Sequence, residues 1–119
     1  MHTKKGIKGV KDMIKFINSN HSIALMIDQR VSEGEKVELF NHKALTTTIP
    51  AQIAFKYNLE IVPIFIERSK KKFNMKVLNP INISNFKNKI ELTKKLNKIL
   101  EEMILKNPNQ WIWTHNRWK

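Results

Sequence analysis

Proton transfer needs a histidine or carboxylate with a partner that tunes it, and the chain offers four histidines: His2, His21, His42 and His115. None is paired with another at the i,i+4 spacing that lets two imidazoles on one helix face share a metal ion. Cysteine is absent, which removes thiolate ligands and disulfides. Glycine-rich phosphate loops and the G-x-S-x-G elbow are missing too, and three glycines leave little material for a phosphate cradle. We therefore assign no catalytic residue and no metal ligand from spacing alone.

What remains are polar residues at the ends of apolar runs. Asp28 closes "HSIALMID" and Arg68 closes "IVPIFIER". In sheets of parallel strands, ligands bind beyond the carboxyl ends, so Asp28, with Gln29 beside it, and Arg68 are candidates for one crevice. The local alternatives are an Asp that turns the following loop and an Arg that is a surface cation beside "SKKK". Thr46, Thr47 and Thr48 precede Pro50, where helix-start amides can face an anion or hydroxyls can simply cap the helix. All three tryptophans fall in the closing "NQWIWTHNRWK", which suits base stacking, a membrane interface, or a terminus packed on a core.

Elements must hold these residues in place. The spacing of Ile7, Val10, Ile14 and Ile17 predicts a helix over residues 7–17, ended by "NSN". Residues 21–28 read as a buried strand, followed by a turn-rich stretch with one short extended piece, "KVELF". A helix over 46–58 is expected from the threonine caps and Pro50. Residues 59–68 read as a second buried strand, with Pro63 marking an edge, a bulge or its opening, and "KKFNMKVLNPI" as a half-buried one. The clearest helix is 86–106, stopped by Pro108. This order predicts an α/β fold: a partial, mixed and largely parallel sheet flanked by helices, in a single partial domain over 1–119.

Composition narrows the partners. At 119 residues with 41% apolar residues the chain is globular and holds one modest core. No apolar run approaches the roughly 20 residues of a bilayer-spanning helix, and no signal-peptide core is visible, so any membrane association is expected to be peripheral. The net charge of +12 points to a polyanion, either an anionic lipid surface or nucleic acid. Because 19 of the 22 basic residues are lysine and asparagine is abundant, compositional bias accounts for part of that charge.

Taken together, "GVKDMIKFINSNHSIALMIDQ", "VELFNHKALTTTIPAQIAFKYNLEIVPIFIER" and "NPNQWIWTHNRWK" resemble the carboxyl-terminal half of the bacterial lipid A biosynthesis acyltransferases, in the lysophospholipid acyltransferase superfamily. The D-Q pair, the A-x-T-T segment, the V-P-x-F-x-x-R strand and the closing Q-W-x-W-x-H-x-R-W-K carry the likeness, from about residue 6 to the end. The resemblance implies half of a glycerolipid-acyltransferase-like domain at the cytoplasmic face of the bacterial inner membrane, peripheral in this form. It implies no bound cofactor, an acyl carrier protein thioester as donor, and a phosphorylated, Kdo-bearing lipid A precursor as anionic acceptor. Asp28, Gln29, Thr46, Thr47 and Arg68 take substrate-binding positions by the same resemblance.

The family's general base is a histidine with an acid five positions later. Here those positions hold Ile7 after His2, Met26 after His21 and Thr47 after His42, and His115 has none. The resemblance thus implies a fragment lacking the dyad, together with a missing amino-terminal half and its hydrophobic anchor. Activity of the chain alone is not expected. A non-catalytic basic protein at a membrane surface is the first alternative; a nucleic-acid-binding module is less favoured, because no recognised motif of that class occurs.

Overall fold

The computed structural model describes residues 7–119; His2 lies outside the described residues. The first helix, α1 (Ile7–Asn18), stops where the sequence reading places its end. Asn20 takes a left-handed φ of 58°, the His21 N–H donates to the Phe16 carbonyl and the Asn20 N–H to the Ile17 carbonyl. These are the paired bonds of a Schellman stop, and the rings of Phe16 and His21 meet edge-on at 5.9 Å across it.

Residues 21–28 do not form the expected strand. They run without ladder pairing, and Met26 is 77% exposed. An apolar run becomes a strand only where another backbone accepts its hydrogen bonds, and no described segment pairs with this one. The largely parallel sheet is therefore corrected: the chain is α/β, but its strands form two separate antiparallel hairpins. Each hairpin closes through two residues, a far smaller loss of chain entropy than the long crossover of a parallel pair.

The first hairpin joins β1 (Glu35–Leu39) to β2 (His42–Thr46). "KVELF" supplies β1 as read, whereas β2 occupies residues expected to be loop and helix start. Phe40 and Asn41 form the turn with φ of 52° and 61°, the type I′ geometry that matches strand twist. A left-handed phenylalanine is uncommon. Here its N–H donates to Glu101 Oε1 at 2.6 Å, and its ring packs near Trp111 and Trp113. Alternation sends Val37, Leu39, Ala44 and Thr46 inward.

Helix α2 (Ile49–Tyr57) has Pro50 in its first turn and ends at Asn58, another left-handed residue. The second hairpin pairs β3 (Ile64–Ser69) with β4 (Lys72–Val77), and Pro63 precedes β3 at its opening. Ahead of it a lone bridge joins Ile61 to Ile81. Helix α3 (Lys89–Lys106) begins at Asn88, whose side chain accepts the Ile90 and Glu91 N–H groups, while Glu91 reaches back to the Lys87 N–H. That doubly satisfied start resembles a capping box.

Helix α3 joins both cores. Leu100 and Ile104 pack with Leu39 and Ala44 under Phe40, Trp111 and Trp118; Leu92 packs with Ala51 and Ala54 of α2. After Pro108 the chain turns through short 3-10 segments, Pro108–Gln110 and Trp113–His115, back onto the first hairpin. No helix among the described residues is long and apolar enough to cross a membrane.

Candidate functional site

Thr46 ends β2 on its inward face and is the hub of a buried polar cluster. Its hydroxyl donates to the Ala44 carbonyl at 3.2 Å and accepts from Asn97 Nδ2 at 3.1 Å and Arg117 Nη2 at 3.2 Å. One donor and two lone pairs are thus all used. Asn97 comes from α3, one turn after buried Thr93, and its amide also donates to the Glu38 carbonyl at 2.9 Å.

Arg117 arrives from the closing segment. Asn116, with φ of 32°, turns the chain, and the Arg117 carbonyl accepts the Leu45 N–H at 2.9 Å. Trp118 Nε1–H then donates to the Leu39 carbonyl at 3.2 Å. The segment is held along both strands of the hairpin, and Arg117 is 1% exposed. Among the described residues its Nε and Nη1 groups have no hydrogen-bond partner, nor does Asn97 Oδ1. Burial lowers the Arg117 pKa from its ordinary value, and the charge of Asp28 acts in the opposite direction.

Asp28 is half-buried at a bend, and Gln29 beside it is exposed. The loop they open descends onto Thr46. A Cβ at Gly34 would stand 2.7 Å from both the Thr46 carbonyl oxygen and Val31 Cγ2, so glycine is required by this close approach. The structure therefore gathers the Asp28 loop, Thr46 and Arg117 into one region.

Thr46 itself belongs to a strand rather than to a helix opening, and Thr47 is the hydroxyl that accepts the Ile49 N–H. Thr48 accepts from Gln52 Nε2. Arg68 has other company. Its backbone N–H and carbonyl are both paired to the Gln110 side chain, at 2.9 and 2.7 Å, and its exposed guanidinium lies 6.0 Å from the Phe73 ring centre. No ion pair joins it to Asp28.

Trp111 and Trp118 are half-buried against the core, with rings crossing at 83°, while Trp113 stays 49% exposed and donates to the Pro108 carbonyl. His21, His42 and His115 are exposed. Among the described residues no group of three or more His, Asp or Glu side chains converges to hold a metal ion.

Two members of the cluster escaped the sequence reading. Asn97 sits on the buried stripe of α3 between Leu96 and Leu100, and a polar residue among apolar neighbours is a usable signal. Arg117 stands between Asn116 and Trp118 in a basic terminus, where nothing local separates a buried arginine from a solvated one.

A family model described as bacterial lipid A biosynthesis acyltransferase matches residues 1–119. No curated protein matches the chain. With the family match spanning every residue, the chain belongs to the bacterial lipid A biosynthesis acyltransferases.

Proposed function

We propose that this chain forms the acceptor-holding part of an acyltransferase that moves a fatty acyl group from acyl carrier protein to a lipid A precursor. The match to the acyltransferase family across residues 1–119 carries the reading. In the reaction, a hydroxyl on an acyl chain of the phosphorylated, Kdo-bearing precursor attacks the thioester carbonyl. A base removes the hydroxyl proton, and the carrier thiolate leaves. No histidine of this sequence has an acid five positions later, so the base comes from elsewhere, in our reading from an amino-terminal half.

The chain's own residues then serve binding. Asp28 and Gln29 border the cleft, Thr46 and Thr47 hold its backbone, and exposed Arg68, followed by Lys70, Lys71 and Lys72, suits phosphate. The test is binding of the phosphorylated precursor in detergent micelles, alongside a transfer assay with acyl carrier protein thioester. Saturable binding weakened by Asp28→Ala and Arg68→Ala, without transfer by the chain alone, is the expected result. A chain that takes up no precursor sinks the reading.

One observation favours a second reading, a basic accessory protein at a membrane surface. Ile64, Ile66, Met75, Val77 and Phe73 form an exposed apolar face on the second hairpin, beside its lysine tip. Each cation held near an anionic leaflet would contribute about 1 kcal/mol. Sedimentation with phosphatidylglycerol vesicles but not with phosphatidylcholine vesicles, in a chain that ignores the precursor, would favour it.

A further inference from the structure

The cations of this chain fall into two groups. On α3, Lys89, Lys94 and Lys98 each meet an acid within 3.7 Å, namely Glu35, Glu38 and Glu101. On the β3–β4 hairpin, Arg68, Lys70, Lys71, Lys72 and Lys76 have no ion pair among the described residues. Between residues 61 and 90 the sole acid is Glu67, and its carboxylate accepts a hydrogen bond from Asn107 Nδ2 at 3.1 Å. The helix lysines are matched from within; the charge of the hairpin is not.

The same hairpin turns its apolar face outward. Register puts Ile64, Ile66, Phe73, Met75 and Val77 on one face, and all five are exposed, while Phe65 and Glu67 of the opposite face are half-buried. An apolar face bordered by unmatched cations suits an anionic lipid leaflet, where hydrocarbon takes the side chains and headgroups take the lysines.

A third observation comes from the closing segment. The Trp113 indole is 49% exposed yet held in place, donating to the Pro108 carbonyl at 2.8 Å and meeting the Trp111 ring edge-on at 4.6 Å. The turn beneath it, Pro108–Gln110, is stitched to the hairpin beside the lysine tip. The Gln110 carboxamide pairs with both the N–H and the carbonyl of Arg68, as a neighbouring strand would, and Asn107 holds Glu67. Indole rings with one polar edge settle at the headgroup level of a bilayer.

We propose that the outward face of the β3–β4 hairpin and the Trp113 indole form one contact surface for an anionic lipid leaflet, with Asn107 and Gln110 clasping the indole's turn to the hairpin's basic tip. This rests on the membrane-surface reading and is independent of acyl transfer.

The test mixes the 119-residue chain with phosphatidylglycerol vesicles carrying brominated acyl chains, and reads tryptophan emission beside sedimentation. Emission should shift to the blue and be quenched, and Trp113→Phe should lose both changes, because Trp111 and Trp118 pack against the core. Phe73→Ser should weaken sedimentation about tenfold. Lys70→Gln, Lys71→Gln and Lys72→Gln should each weaken it about fivefold, and phosphatidylcholine vesicles should bind none of these chains. Gln110→Ala should still sediment but with much less quenching, since the indole's turn is no longer tied to the hairpin. All of these side chains are exposed, so the variants should melt with the parent.

Sedimentation with unquenched Trp113 overturns the shared surface and leaves the membrane-surface reading standing. Quenching undiminished in Gln110→Ala overturns the clasp. A chain that ignores anionic vesicles overturns both the proposal and that reading. A lipid-free dimer that Phe73→Ser breaks, and that does not bind the vesicles, gives the face to a second copy and overturns the proposal too.

Discussion

The two hairpins of this chain are built alike and fare differently. Both are antiparallel, both turn through two residues, and both alternate apolar with polar side chains. On the β1–β2 hairpin the inward face meets α3 and the returning terminus, leaving Leu39 0% exposed. On the β3–β4 hairpin one face carries Ile66 at 58% and Phe73 at 70% exposure. A pleated strand can say which side chains share a face, but what covers that face depends on the rest of the chain. The covered hairpin encloses an arginine anchored on β2 through Thr46; the open one presents its arginine to solvent, over an aromatic ring.

Truncation tests that contrast most strongly. Leu39→Ala should cost about 2–5 kcal/mol in urea unfolding, as for other fully buried leucines. Ile66→Ala should stay within about 0.5 kcal/mol, as at exposed sites. Equal losses would mean that the second hairpin's face is covered in solution.

Polarity gives a smaller effect. Thr46→Val keeps the side chain's shape and removes the acceptor shared by Asn97 and Arg117. It should lower stability by about 1–3 kcal/mol, the cost of leaving buried donors unmet. A neutral result would show that the cluster is not sealed from water.

The smallest effect concerns the rim of the covered region. The Lys98 pKa is raised above its ordinary 10.5 by the hydrogen bond to Glu101 and then by the charge of Glu101, the residue that also holds the Phe40 N–H. A raised cation stabilises fully below its unfolded pKa and loses that contribution as pH climbs through the folded one. The stability gap between the parent and Lys98→Met should therefore hold from neutral pH up to 10.5 and close above it, read as paired thermal melts. Since the Lys98 side chain is 62% exposed, the gap should be slight. A gap that widens with pH would contradict the assignment.

Much of the fold was legible where the signal is local. The apolar stripe of α3, its Pro108 stop, the Asn18–Asn20 helix end and the alternation of β4 each lie within one or two turns of sequence. Residues 21–28 show the limit, since their composition suits a strand but no described backbone pairs with them. Strand β2 was missed because Ala44 and Thr46 are small and polar, and because Phe40–Asn41 lacks the usual glycine of such turns. Glu101, sixty-one residues from Phe40, holds that turn. Of the candidate site, Asp28 and Thr46 were named from sequence, whereas Arg68 lies on the open hairpin in a different setting.

The sequence alone determined the helices, the extended run that ends at Val77, the absence of a His-x4-acid pair, and the motifs by which the family is recognised. These depend on neighbours a few residues apart or on residue identity. Tertiary structure alone decided that the strands pair as hairpins, that one apolar face is covered and its counterpart open, and that Arg117 is buried. The covering of one face and the burial of Arg117 depend on groups far apart in sequence meeting at one place, as Phe40 and Glu101 do across 61 residues and Thr46 and Arg117 across 71, and no local pattern encodes which distant group will arrive.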